Sequence, residues 1–219
     1  MKGVMNIDYH HGRKKRIDYR YRLNRRTYEV IKIINDFLIN QTDVLDLGTA
    51  DGLMLSEIKK NFPNTNCTGI EYSSKLIATN QNPNIKIIQG DVQKLNFDDN
   101  SFDIVIATAI IEHLKQPEKM VAEAYRVLKN DGLLIITTPN PFFEKIADKI
   151  GGLPGEEHQT TFNLKSLDQL LSKNGFNVLI KKKFMLSPIG FPFEITIEKF
   201  LNSTGLNFVL LNQLIVGKK

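Results

Sequence analysis

One stretch constrains this chain more than any other: Val44-Leu45-Asp46-Leu47, then Gly48-Thr49-Ala50-Asp51-Gly52. The first four residues, prefaced by Thr42 and Asp43, read as a short buried strand. The next five form a small-residue turn, and apolar helical spacing resumes at Leu53, Leu55, Ile58 and Phe62. A strand that runs through such a turn straight into a helix is the opening unit of an α/β sheet. Small residues at that corner let backbone N–H groups approach a ligand, with a helix N-terminus behind them. A tight turn that binds nothing has the same local pattern, so the turn alone does not establish a ligand.

A dinucleotide fingerprint requires a small residue at position 53, and Leu53 argues against it. Two further strands supply acids at predictable places. Asn66 to Ile70 ends in Glu71-Tyr72, about 20 positions past the turn, where a carboxylate can accept both hydroxyls of a ribose. Ile85 to Gln89 ends in Gly90-Asp91-Val92. A single acid at a strand end is more often a solvated cap, but a small-residue turn and two acids in order point to a nucleoside.

With Gly48, Ala50 and Gly52 as its small positions and Asp46 two residues ahead, the stretch resembles the first motif of class I S-adenosylmethionine-dependent methyltransferases. The usual middle glycine is Ala50 here, which narrows the space beside the methionine part of the cofactor. The resemblance implies S-adenosyl-L-methionine as cofactor and S-adenosyl-L-homocysteine as product. Asp91 would hold the adenine amino group and the Val92 backbone N–H a ring nitrogen. Asp46, Gly48, Ala50, Gly52, Glu71, Tyr72, Thr108 and Ala109 complete the implied cofactor site.

Alternating strands and helices continue downstream. Phe102 to Thr108 is a fourth strand whose apolar run suits cover on both faces. Pro117 opens a helix to Leu128 that Asn130-Asp131-Gly132 stops. Leu133 to Thr137 is the fifth strand, Phe142 to Ile150 a short helical candidate, and Gly151 to Gly155 a mobile hinge. Beyond it come a helix over Leu164–Lys173, a strand over Phe176–Phe184, an amphipathic helix through Phe193 to Leu201 and a last strand from Leu206 to Val216. Ahead of the sheet, residues 1–19 read as a mobile arm, and helical spacing runs from Tyr21 to Leu38. The expected fold is α/β: a three-layer sandwich with a mostly parallel seven-stranded sheet. The resemblance implies the order 3-2-1-4-5-7-6 with the last strand antiparallel. It covers residues 40–217, with a mobile insertion near 140–163; residues 1–39 are the basic arm and packing helix.

Length, 219 residues, suits one domain with a full core. The longest apolar runs fall short of a membrane span, and Met1 to Asn6 lacks the apolar stretch of a secretory signal. A lone cysteine, Cys67, forms no internal disulfide, so a reducing, cytoplasmic setting is expected. Charge is uneven: residues 13–26 carry eight cations against Asp18 alone, while the whole chain has a net charge of +5. That block, with Tyr19 and Tyr21, could bind phosphates, nucleic acid or an anionic membrane surface; a solvated arm or a phosphate contact is expected, with nucleic acid unlikely because no RNA-binding module accompanies it.

The chemistry belongs at the end of the fourth strand, Thr108-Ala109-Ile110-Ile111-Glu112-His113-Leu114. It resembles the Glu-His-Leu motif of the ubiquinone-type O-methyltransferase group. Imidazole changes charge close to neutral pH, so His113 is a candidate base; the rival reading makes Glu112 and His113 the start of a helix. His158, in Glu156-Glu157-His158, is a second candidate facing the acceptor. Metal-dependent relatives carry an acid where Ala109 stands, so no metal is expected. Thr138-Pro139-Asn140-Pro141 comes after the fifth strand rather than the fourth, which argues against base N-methylation. The expected activity is methyl transfer to a small-molecule or lipid-linked acceptor, at a hydroxyl oxygen, with a phosphate on the acceptor one option. Alternatives are an RNA-modifying enzyme recruited by residues 13–26, or a cofactor-binding partner subunit without turnover. The apolar run from Pro188 to Leu201 either touches a membrane surface or caps the last strands, and the cap is expected. Oligomeric state stays open.

Overall fold

The computed structural model describes residues 16–37, 42–143 and 159–219. Its elements are α1 (Ile17–Phe37), β1 (Asp43–Leu47), α2 (Leu53–Asn61), β2 (Asn66–Glu71), α3 (Ser74–Ile77) and β3 (Lys86–Gln89). Next come β4 (Phe102–Thr108), α4 (Pro117–Val127), β5 (Leu128–Pro139), α5 (Leu164–Lys173), β6 (Asn177–Phe184), α6 (Glu194–Ser203) and β7 (Asn212–Lys218). The strands form one sheet in the order β3-β2-β1-β4-β5-β7-β6. Pairings among β1 to β5 are parallel, and β7 runs antiparallel to both β5 and β6. This is the expected topology.

Strand alternation divides the core into two layers. Leu45, Leu47, Val105, Ala107, Leu134 and Ile136 face α4 and α5. Val44, Ile104, Ile106, Leu133 and Ile135 face α1 and α2, where Val30, Ile33, Ile34, Leu55 and Ile58 are buried. Full burial of such side chains contributes about 1.5–3 kcal/mol each. The same alternation sends Asp46 and Thr108 toward the α1 and α2 layer, the arrangement on which the site depends.

Several boundaries depart from the sequence reading. Helix α1 begins at Ile17 rather than Tyr21, because Tyr21 and Arg25 find buried partners across the chain, Glu194 and Glu198, that hold the helix's first half in place. Strand β5 begins at Leu128, directly after α4: Leu128 pairs with Phe102, and Asn130-Asp131-Gly132 is an irregularity within the strand instead of a stop before it. The last strand starts at Asn212; Asn207–Val209 is a 3-10 turn before it. Residues 144–158 lie outside the described residues, and with them the Gly151–Gly155 hinge, most of the helical candidate after Phe142, and His158. Both flanks of the expected mobile insertion are anchored. The Asn140 amide donates to the carbonyls of Phe208 and Leu210, and the Gln159 and Thr160 N–H groups donate to the Glu112 carbonyl. Asn140 thus has a structural task.

Candidate active site

In the strand order the sequence-adjacent direction reverses between β1 and β4, and ligands of open α/β sheets bind outside the carboxyl ends of the strands at such a point. A cavity of about 120 Å³ lies there. Its floor comes from the β1 tip and the turn after it (Asp46, Gly48, Thr49, Ala50, Asp51) and from the β4 tip (Thr108, Ala109, Glu112, His113). Its roof is the first half of α1, through Tyr19, Arg22, Leu23 and Arg26. A helix of 21 residues is about 31 Å long, so once Val30, Ile33 and Ile34 anchor its second half on the core, the first half overhangs the strand tips.

The turn differs from expectation in one respect. Its N–H groups serve the protein itself: those of Gly48 and Thr49 donate to the Ile70 carbonyl, that of Ala50 to Glu71 and that of Gly52 to the Thr49 carbonyl. The small residues are needed for conformation and packing. Gly48 has φ +74° and a Cβ there would stand 2.9 Å from Ile110 Cδ1; at Gly52, φ +78°, it would stand 2.5 Å from Ile85 Cδ1. Ala50 and Ala109 both adopt left-handed φ, near +53° and +51°. That conformation costs an L-residue about 1–2 kcal/mol, alanine included.

Asp46 is the distinctive electrostatic feature. It is 3% exposed, and its Oδ1 has no hydrogen-bond partner. Burial pushes its carboxyl up to about 7, with the nearby Thr49 hydroxyl opposing the shift and the Glu71 charge adding to it. Glu71 itself is pinned: Oε2 accepts from the Ala50 N–H at 3.0 Å and Oε1 from the Ser73 N–H at 2.8 Å. Each oxygen keeps a further lone pair for a ligand hydroxyl. Asp91 is exposed at the neighbouring tip of β3, where its Oδ1 accepts the Gln93 N–H; Val92 is buried. The Gly90 N–H donates to the Glu71 carbonyl, so the two acids lie on one edge of the sheet. Tyr72 is 45% exposed.

The structure therefore gathers Asp46, Gly48, Ala50, Thr108, Ala109 and His113 in one cavity, with Glu71 bonded to its wall and Asp91 and Val92 one strand farther out. Gly52 turns away toward Ile85. Glu112 and His113 form part of a 3-10 turn, Ile111–His113, that ends at Leu114. Glu112 is 1% exposed and accepts a bond from Thr138 Oγ1 at 3.1 Å, so it ties β4 to β5. His113 is only half-buried and lines the cavity. Tyr19, Arg22 and Arg26 were legible only as part of a charge block; four-residue spacing of Arg22 and Arg26 on one helix face is the signal that could have paired them.

The donor set suits S-adenosylmethionine. The unpartnered Asp46 oxygen calls for a cation or a donor and Glu71 for vicinal hydroxyls, while Arg22, 3.7 Å from Asp18, and Arg26, which donates to Asn212 Oδ1, bring positive charge to the roof. Among the described residues no group of three His, Cys, Asp or Glu side chains could hold a metal ion.

Residues 45–136 match a family model described as a methyltransferase domain. The chain is 30% identical over 111 residues to malonyl-[acyl-carrier protein] O-methyltransferase of Halalkalibacterium halodurans, covering 46% of this chain and 41% of that protein. It is 28% identical over 155 residues to phosphoethanolamine N-methyltransferase 2 of Caenorhabditis elegans, covering 68% of this chain and 35% of the relative. The chain thus spans less than half the length of these relatives. In fold it is similar to a chain from the complex of the Haloferax volcanii Trm112 methyltransferase activator with a methyltransferase. That likeness has a TM-score of 0.67 at 17% identity and covers 92% and 93% of the two chains.

Proposed function

We propose that this chain, which carries an S-adenosylmethionine-dependent methyltransferase domain, transfers the cofactor's methyl group to a small-molecule acceptor bearing an anionic group. The observation that carries the reading is the convergence of Asp46, Ala50, Thr108 and His113 with Arg22 and Arg26 in one cavity at the sheet's reversal point. When bound, the cofactor supplies an electrophilic methyl group on a sulfonium that is already a good leaving group. The protein's tasks are then to hold, orient and exclude water.

Asp46 sits where its carboxylate opposes a positive charge, and Glu71 accepts the ribose hydroxyls without moving, because Ala50 and Ser73 already fix its carboxylate. Asp91 and Val92 take the adenine edge. One of Arg22 and Arg26 faces the cofactor's own carboxylate; the other is placed for an anion on the acceptor. His113, at the far end of β4, receives the proton that a hydroxyl acceptor must lose. The two relatives are named for malonyl-[acyl-carrier protein] and for phosphoethanolamine. Both molecules carry an anionic group, as two guanidiniums at the cavity would suit.

RNA recruitment by the basic block has less support. Arg25 is buried, and Arg22 and Arg26 line the cavity rather than an outer face. Calorimetry with S-adenosylhomocysteine tests the cofactor half of the reading, and absence of binding would end it. Transfer of label from methyl-labelled cofactor into the acidic fraction of a metabolite extract tests the acceptor half; label confined to neutral metabolites or to RNA would overturn it.

A further inference from the structure

The segment from Ser187 to Leu211 joins β6 to β7 and is turned inside out. An amphipathic helix ordinarily buries its apolar stripe and shows its charges. Here the two acids of α6 are the buried residues: Glu194 is 3% exposed and Glu198 5%. Glu194 accepts the N–H groups of Leu186 and Ser187 and the Tyr21 hydroxyl; Glu198 accepts the Met185 N–H and pairs with Arg25 at 2.7 Å. What the segment shows to the outside is Ile189, Phe193 and Phe200, at 61%, 80% and 62% exposure, with Leu206 and Phe208 near one-half. The expected cap over the last strands is not what these side chains form. Phe193 is held at φ +63°, a conformation unfavourable for any residue with a Cβ, and among the described residues its ring stays 80% exposed.

The exposed charges near this face are cationic, and the acid of the first turn of α1, Asp18, is half-buried and bonded to Arg16. Between Ser187 and Leu211 the exposed ionisable residue is Lys199, and both acids are hidden. Tyr21 lies against Gly190, whose added Cβ would stand 2.4 Å from the ring. One turn earlier on α1, Ile17 is 72% exposed and is flanked by exposed Arg16 and Arg20. Protruding aromatic and aliphatic side chains, with exposed Lys199 on the same helix, exposed Arg20 on α1 and the segment's own acids hidden, match the interface of a bilayer with anionic headgroups. A protein surface of the ordinary kind has a rim of mixed charge.

We propose that the Ser187–Leu211 face, with the first turn of α1, docks on an anionic lipid surface and inserts Phe193 and Phe200 among the headgroups. Pro139 lines the cavity, and the next residue, Asn140, bonds the carbonyls of Phe208 and Leu210. Docking would thus bring the cavity mouth close to the bilayer. The inference does not depend on methyl transfer.

The chain contains no tryptophan, so a Phe193→Trp variant carries a single fluorescent reporter at the exposed tip. Its emission should shift to the blue with phosphatidylcholine vesicles that contain phosphatidylglycerol, and return toward the free value in high salt. The double variant Phe193→Ser, Phe200→Ser, with unchanged circular dichroism and melting temperature, should lose about tenfold or more of co-sedimentation with the same vesicles. No shift and no co-sedimentation with anionic vesicles would overturn the proposal, as would a double variant that sediments like the parent. A self-associated parent that the double variant renders monomeric, with no vesicle response in either, would also overturn it and assign the face to a second copy.

Discussion

Glu71 Oε2 accepts the Ala50 N–H at 3.0 Å, binding the tip of β2 to the turn after β1 that walls the cavity. The carboxylate is fixed before any ligand arrives, since Oε1 takes the Ser73 N–H as well. Preorganisation of this kind lowers the ordering cost of binding.

Replacement of Glu71 by Ala should therefore weaken S-adenosylhomocysteine binding by roughly 10- to 100-fold, the scale of hydrogen bonds to a charged group. Calorimetric titration of both proteins measures it. An unchanged dissociation constant would remove Glu71 from the cofactor site.

Asp46 should give the fold a pH dependence of its own. Its carboxyl is raised to about 7 by burial, against 3.8 for the ordinary group. Between those values the folded state holds a proton that the unfolded chain has released, so this contribution to stability is full below pH 4 and is lost as pH rises toward 7. The loss is at most about 4 kcal/mol. Urea unfolding of the parent and of Asp46→Asn at pH 5 and pH 8 should show the parent losing more stability than the variant over that interval. Parallel behaviour of the two would refute the assignment.

Arg25 is buried between Glu29, at 3.1 Å, and Glu198, at 2.7 Å, and Lys182 also reaches Glu29. Burial already pushes the Glu198 carboxyl up even with Arg25 beside it. Loss of one partner strands the other charges, which typically costs 3–5 kcal/mol. Arg25→Met should lose stability on that scale in chemical denaturation, with amides in the first half of α1 exchanging faster. A loss below about 1 kcal/mol would mean the network is incidental.

His113→Gln should leave S-adenosylhomocysteine affinity near that of the parent and lower turnover by about 10²–10⁴-fold on a hydroxyl acceptor, the usual contribution of a general base. Comparison of kcat with cofactor affinity separates the two effects. Retained turnover would show that the acceptor loses its proton by another route.

Much of the site was legible one-dimensionally, because strand tips are punctuated. Leu47 to Gly48, Ile70 to Glu71, Gln89 to Asp91 and Thr108 to Ala109 each mark a place where a strand's apolar run gives way to small or polar residues. In a parallel sheet all those places lie on one edge. Boundaries held in place by distant partners were not legible in that way: α1 gains its first turn from Tyr21 and Arg25 meeting residues 173 positions away, and β5 gains Leu128 from Phe102.

Local pattern by itself determined the alternation of strands and helices, the small residues at the two left-handed strand tips, and the acids that end β2 and β3. These arise from backbone sterics and from periods of two and 3.6 residues, which act within a few positions of one another. Only the tertiary structure decided that Arg22 and Arg26 roof the cavity rather than face solvent, that Asp46 lies buried with an oxygen unpartnered, and that α6 hides its acids while Phe193 and Phe200 stand outside. Each of those outcomes depends on which buried charge finds which partner across the chain. The energy of such a pairing is set by distance and burial, and neither is a function of sequence separation.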